Sequence, residues 1–209
     1  IVTYFHDKQA SIDFVQIAGS NGKGSTARML ENILHTAGFD VGLFTSPALY
    51  DIREQIRVNG QKISKERITT YIENIQPRIE WLRAVNDTPT QFELITALAI
   101  HHFMLKKVDI AILEVGIGGQ YDATSVVNPD ASAVTSVSLE HTDILGNTVE
   151  EIAHDMAEVA PNENPLVTAS SGNALTALQN KTDVITVGST DSDVLVAENL
   201  LRSAVKNNI

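Results

Sequence analysis

The 209-residue sequence has no cysteine, which excludes a disulfide scaffold and any thiol chemistry and fits a cytoplasmic protein. Basic residues are scarce: 15 Lys and Arg stand against 26 Asp and Glu, for a formal charge of −11. That balance argues against nucleic acid or an anionic membrane as partner, but leaves room for a local basic pocket that takes a small anion. No apolar run is long enough to cross a bilayer, so no membrane span is expected. Internal repeats and low-complexity tracts are absent too. The N-terminus, Ile1-Val2-Thr3-Tyr4-Phe5-His6-Asp7-Lys8, has neither an initiator Met nor a signal-peptide layout, and is expected to be cut from a longer chain.

What is present is globular: 43% hydrophobic and 20% charged residues, in a length that suits one domain over 1–209. The chain is organised around Val15-Gln16-Ile17-Ala18-Gly19-Ser20-Asn21-Gly22-Lys23-Gly24-Ser25-Thr26, an apolar run, a glycine turn and then an amphipathic helix. Glycines allow successive N–H groups to converge on one point, and the open N–H groups of a helix start attract anions. Ser20, Asn21, Gly22, Lys23, Gly24, Ser25 and Thr26 are therefore the candidate nucleotide-binding residues. Lys23 adds a mobile positive charge, and Ser25 or Thr26 a hydroxyl for the magnesium ion that accompanies a nucleotide. The commonest phosphate loop has a longer spacer before its Gly-Lys pair and a hydroxyl residue directly after the lysine; here Gly24 intervenes.

Periodicity predicts alternating strands and helices. A helix over 25–37 carries Ala27, Leu30, Ile33, Leu34 and Ala37 on one face, and strands follow at 39–44 and, after a loop, around 55–58. Ser64 caps a helix bent at Pro77, and Thr90 opens another. Val108–Val115 is the strongest strand, ending in Gly116-Ile117-Gly118-Gly119, a second glycine turn. Further strands are expected at 131–139, 166–169 and 184–187, with helices at 148–159, 172–179 and 194–205. The expected fold is α/β, a mostly parallel sheet with helices on both faces, whose ligand lies beyond the carboxyl ends of the strands. The turns at Gly19, Ser46, Glu114-Gly116 and Glu140-His141 should meet there.

Glu114 closes a buried strand, where a carboxylate is expensive unless a metal or a charged partner compensates it. His141 ends another strand at the same edge. Glu93 and Glu151 each follow a Thr by three residues and read as capping boxes. Glu150, Asp155 and Glu158 read as a solvated helix face, His101 and His102 as pointing to different sides, and Trp81 as core or a domain contact. Asp143-Ile144-Leu145-Gly146 and Asn180-Lys181-Thr182-Asp183 mimic GTPase signatures, but the second follows a helix instead of a strand, which is the wrong geometry for reading guanine.

Taken together the motifs resemble the folylpolyglutamate synthase/dihydrofolate synthase family within the Mur-ligase superfamily. The segments are Ala18–Ser25; Thr45-Ser46-Pro47 with Glu54, Ile56 and Asn59-Gly60; Thr90–Thr96; Leu113–Gly119 with Asp122-Ala123-Thr124; and Glu140-His141-Thr142 with Leu145-Gly146 and Ile152-Ala153. They run in order from about Val15 to Val159. The resemblance implies a P-loop fold like the Mur-ligase central domain and an ATP-dependent ligase. Such an enzyme phosphorylates a folate carboxylate and lets the amine of L-glutamate attack the acyl phosphate. It implies ATP and Mg2+ as ligands and a monomer. Lys23, Glu114 and His141 would be catalytic, Ser25, Glu114 and His141 metal-binding, and Ser46, Pro47 and Asp122 substrate-binding.

Departures are Met156, where many members carry a carbamylated lysine, Gln120 for Arg, Ser125 for Asn, Ala48 for His and Glu140 for Asp. The family's C-terminal domain, with its Asp-x-Ala-His-Asn-Pro type stretch, is absent from this sequence. Two other readings stand beside this one: a nucleotide-binding module without turnover, or a Mur-type ligase of cell-wall precursors.

Overall fold

The computed structural model describes residues 12–160 and 166–187. The helix expected over 194–205 lies outside them. In chain order the described elements are β1 (Asp13–Ala18), α1 (Lys23–Thr36), β2 (Val41–Phe44), β3 (Ile56–Val58), β4 (Gln61–Lys62), α2 (Lys65–Ala84) and α3 (Gln91–Lys106). They continue with β5 (Ile110–Glu114), β6 (Ala131–Val134), α4 (Thr142–Leu145), α5 (Val149–Met156), β7 (Leu166–Thr168), α6 (Gly172–Gln179) and β8 (Val184–Thr186).

The strands form one sheet in the order β4-β3-β2-β5-β1-β6-β7-β8. Every pairing from β2 to β8 is parallel; β3 and β4 add an antiparallel edge. Both faces are covered, so the central strands are apolar almost without break. Val15 and Ile17 of β1 pack with Ala27, Leu30 and Leu34 of α1, while Phe14 packs on the opposite side with Leu98, Ile100 and Phe103 of α3. A third cluster joins Ala18, Val115 and Val134 to Ile152 and Met156 of α5 and Leu178 of α6. The chain leaves β1 for β2 on one side and leaves β5 for β6 on the other, so a crevice opens at the carboxyl ends of the central strands.

Local chemistry sets the helix ends. Thr90 and Glu93 form a complete capping box on α3, as do Thr148 and Glu151 on α5, and Ser64 caps α2. Pro77 lies inside α2 without ending it. Trp81 is not core: it is 51% exposed, with the Arg78 guanidinium 4.2 Å from its ring centroid. The strand expected over 131–139 stops at Val134, because the residues after it turn to hold the first glycine turn.

Candidate active site

Gly19 breaks β1 at φ 129°, a backbone conformation that a side chain disfavours. A Cβ there would fall 2.2 Å from the Thr135 hydroxyl, so the turn and the segment after β6 lie against each other. Hydrogen bonds lock them. Thr135 Oγ1 donates to the Asn21 carbonyl at 2.6 Å, Ser20 N–H to the Ser136 carbonyl at 2.8 Å, and Asn21 N–H to Ser136 Oγ at 3.1 Å. Ser138 N–H closes the set on Ser20 Oγ at 2.9 Å. Thr135 and Ser136 were not among the sequence candidates, and only a hydroxyl pair at a strand end could have signalled them.

From Lys23 onward the backbone is helical, and N–H groups of a helical first turn have no partner inside the helix. Lys23, Gly24 and Ser25 border a cleft of about 1360 Å³ at this point, together with Ser20, Asn21 and Gly22. Lys23 Nζ donates to the Gly19 carbonyl at 2.5 Å, so its ammonium arches over its own turn. Of the two hydroxyl candidates only Ser25 faces the cleft. Thr26 corrects the expectation: its side chain is buried, its Oγ1 has no hydrogen-bond partner, and its N–H is taken by the Gly22 carbonyl at 2.9 Å.

Glu114 ends β5 beside this turn. Its carboxylate is 5% exposed and sits 3.3 Å from where a Cβ on Gly24 would be. Oε2 accepts the Ser46 N–H at 3.0 Å, and this is its protein hydrogen bond. Burial pushes the Glu114 carboxyl above its ordinary value, and the Ser46 N–H, Lys23 and Arg28 pull against that shift. A buried carboxylate with free oxygen lone pairs, and the Ser25 hydroxyl on the same cleft, are hard-oxygen donors; magnesium commonly takes one or two carboxylates and completes its shell with phosphate and water. One such ion fits here.

The expected grouping of His141 with Glu114 is met only in part. His141 has a left-handed backbone at φ 47° and an exposed side chain. It lines a tight recess of about 10 Å³ with Lys23, Glu140 and Met156, and Lys23, Gly116 and Ile117 line both this recess and the main cleft. Among the described residues no three His, Asp or Glu side chains are grouped to hold a metal ion. Met156 is 1% exposed and packs against Val115, Val134 and Ile152; a soft thioether in apolar packing does not fit a second magnesium.

The second glycine turn is held from two sides. Asp122 Oδ2 accepts the N–H groups of Gly116 (2.9 Å) and Ile117 (3.1 Å), and its Oδ1 accepts Thr124 N–H (2.9 Å) and Oγ1 (2.7 Å). Asp122 borders the cleft, but its carboxylate is fully engaged with its own chain. Asp155 accepts Gly119 N–H at 2.8 Å and the Gln120 N–H. Asp155 therefore does not belong to a solvated face. It is half-buried, lines the cleft, and has its carboxyl pushed up by burial against those N–H bonds. Its position three residues after Ile152, on the edge of the apolar stripe with Met156 and Val159, was the sequence signal for this. Glu150 is exposed, and Glu158 pairs with Lys181 at 2.5 Å.

The opposite wall comes from the segment after β2. Ser46 and Pro47 line the cleft, and the following turn is pinned by ion pairs. Arg53 binds Asp51 at 2.6 Å and holds its carboxyl down at about 2; Lys62 binds Glu54 at 2.8 Å.

This fold is shared with known proteins. The Mur ligase middle-domain model matches residues 17–209. The chain belongs to the Mur ligase middle-domain family. Within the family it is similar to a probable bifunctional folylpolyglutamate synthase/dihydropteroate synthase of Halobacterium salinarum, 57% identical over 180 residues, which cover 85% of this chain and 22% of that one. It is also similar to the dihydrofolate synthase/folylpolyglutamate synthase of Bacillus subtilis, 43% identical over 155 residues, covering 73% and 36%. A solved FPGS–AMPPCP–folate complex superposes with a TM-score of 0.89 at 25% identity, covering 98% of this chain and 61% of that one. This Mur ligase middle domain thus spans between about a fifth and two thirds of the length of these proteins. No helix among its described residues is long and apolar enough to cross a membrane.

Proposed function

We propose that this chain is the ATP-binding part of a ligase that joins L-glutamate to a folate. One observation carries the reading: the open amides of the α1 start, the Lys23 ammonium and the buried Glu114 carboxylate face one cleft. The family membership and the names of the similar proteins support the substrate class. ATP supplies the phosphoryl group that turns a carboxylate oxygen into a leaving group. The chain's own contribution is to position and to neutralise charge, as phosphoryl transfer requires.

In this reading the N–H groups of Lys23, Gly24 and Ser25 bind phosphate oxygens, and Lys23 leaves the Gly19 carbonyl to bridge them. Ser25 and Glu114 would hold one magnesium ion, whose charge would offset that of the phosphates, and the Ser46 N–H fixes the Glu114 carboxylate. Asp122 acts on the substrate side through the turn it holds. Ser46 and Pro47 form the substrate wall. His141 acts from the recess that it lines with Lys23, with no second metal assigned.

A module that binds nucleotide without turnover is the second reading, favoured by the apolar burial of Met156 beside Lys23. Calorimetric titration with Mg·AMPPCP, followed by phosphate release with ATP, a folate and L-glutamate, separates the two. Binding abolished by Lys23→Ala, with phosphate release, supports the ligase. Binding without release supports the module, and no nucleotide binding removes both.

A further inference from the structure

The sequence holds two Asn-Gly pairs, Asn21-Gly22 in the first glycine turn and Asn59-Gly60 between β3 and β4. An Asn before glycine is open to attack by its own chain, because no Cβ shields the next backbone nitrogen from the side-chain amide. The two pairs differ in what restrains them. Asn59 Oδ1 accepts Val41 N–H at 2.8 Å, its Nδ2 donates to Asp40 at 2.7 Å, and Gly60 N–H donates to Glu31 at 3.0 Å. Both reacting groups of that pair are tied down. Asn21 is exposed, and neither its side-chain amide nor the Gly22 N–H has a hydrogen-bond partner among the described residues.

The surroundings of Asn21 also favour the reactive form. The nucleophile is the Gly22 nitrogen after loss of its proton, and resonance shares the negative charge with the Asn21 carbonyl oxygen. That oxygen accepts two hydroxyl groups, Thr135 Oγ1 at 2.6 Å and Ser136 Oγ at 3.3 Å. Hydrogen bonds to a charged form stabilise it. Gly22 is besides the N-cap of α1, where the partial positive charge of a helix start favours an anion.

We propose that Asn21 is a spontaneous deamidation site that inactivates an empty nucleotide cradle. Hydroxide takes the Gly22 amide proton and the nitrogen bonds to Asn21 Cγ. The Cγ–Nδ2 bond then breaks, and the departing nitrogen takes a proton from water and leaves as ammonia. A further water opens the cyclic imide to aspartate or isoaspartate. Either product sets a carboxylate beside the amides that would bind phosphate, and isoaspartate also adds a methylene to the backbone. A bound nucleotide opposes the step, since its phosphates repel the charge on the Gly22 nitrogen. The consequence for binding rests on the ATP reading above; the conversion itself does not.

The test is peptide mass spectrometry of the chain aged at mildly alkaline pH, with isoaspartate detected by enzymatic methylation. In the folded chain Asn21 should convert at least roughly tenfold faster than Asn59, whose restraining hydrogen bonds must first break. In urea the two should convert alike. Saturating Mg·AMPPCP should slow Asn21 several-fold and leave Asn59 alone. Thr135→Val should slow Asn21 roughly tenfold, the effect of one hydrogen bond to a developing charge. Asn21→Gln, which must close a larger ring, should not convert. Asn21→Asp should weaken Mg·AMPPCP binding at least roughly tenfold through like-charge repulsion. Four results would overturn the proposal: conversion of Asn21 no faster than Asn59, a Thr135→Val rate equal to or above wild type, no protection by a nucleotide that binds, or Asn21→Asp binding it as tightly as wild type. Failure of the ATP reading looks different: fresh wild type binds no Mg·AMPPCP, while the contrast between the two asparagines stands.

Discussion

The turns after β1 and β5 leave adjacent parallel strands and both are rich in glycine, yet their amides meet different partners. In the first, the chain enters a fourteen-residue helix directly, so the N–H groups of Lys23, Gly24 and Ser25 open into the cleft. In the second, the N–H groups of Gly116, Ile117, Gly119 and Gln120 are all taken by Asp122 and Asp155. The first turn leaves amides open for the anion proposed above, and the second is already filled by the chain's own carboxylates. Glycine content does not separate them. The residues beyond the glycines do: a helix in one case, a carboxylate six residues on and another from α5 in the other.

The comparison breaks most sharply at Lys23. Lys23→Ala should weaken Mg·AMPPCP binding roughly a hundredfold, the scale of a charge-assisted hydrogen bond or two, while the melting temperature stays put. Calorimetry and a thermal melt read the two effects, and an unchanged affinity would mean the first turn is no cradle. Asp155→Ala should do the reverse. It strands two half-buried amides at a cost of about 2 kcal/mol, lowering Tm by about 4–8 °C with nucleotide affinity little changed. Gly118 sharpens the point, since a Cβ there would fall 2.1 Å from Asp155 Oδ2 at φ 64°, and Gly118→Ala should destabilise to a similar degree. A smaller effect is expected at Thr135→Val. Losing the hydroxyl that ties Asn21 in place should cost about 1 kcal/mol and weaken nucleotide binding about fivefold, measurable by the same titration.

How much of this was legible beforehand depends on the range of the interactions. The α/β alternation, the capping boxes at Thr90 and Thr148 and the first glycine turn depend on neighbours a few residues apart, and periodicity and spacing carry them. Asp155 and Thr135 depend on contacts 36 and 114 residues away, with Gly119 and Asn21; the edge of the apolar stripe marks Asp155 as half-buried, but no local pattern names either partner. Ser25 and Thr26 are adjacent hydroxyls with equal claims in the sequence, and only the phase of α1 puts Thr26 in the core. His141 was read as ending a strand, but β6 stops at Val134; the residue has a left-handed backbone at the start of α4 and lines the recess with Lys23. The strand read through 139 failed because Thr135 and Val137 keep the β-branched alternation of a strand, yet the hydrogen bonds of Thr135, Ser136 and Ser138 go to the glycine turn.

The smallest expected effect concerns the carboxylates themselves. Asp122 and Asp155 each accept two or more N–H groups, whereas Glu114 has the Ser46 N–H alone; burial raises the carboxyls of both Asp155 and Glu114. A carboxyl with a folded pKa above its unfolded value of 4.5 favours the native state when protonated. That contribution is present below the unfolded pKa and is lost as pH rises through the folded one. Glu114→Gln keeps an acceptor for Ser46 and removes the buried charge, so at neutral pH it should raise Tm, by about 2–4 °C for each kcal/mol recovered. The difference from wild type should shrink as pH falls toward 4.5. Asp122→Asn should lower Tm at neutral pH, because both carboxylate oxygens accept two donors each and an amide would turn an NH2 group toward one of those pairs. Melts of both variants across pH 4–8 read the contrast directly. A chain that tolerates an uncompensated buried acid beside one glycine turn, and matches every acid at the other, holds that charge for a ligand; a Glu114→Gln variant less stable than wild type at neutral pH would remove the reason to think so.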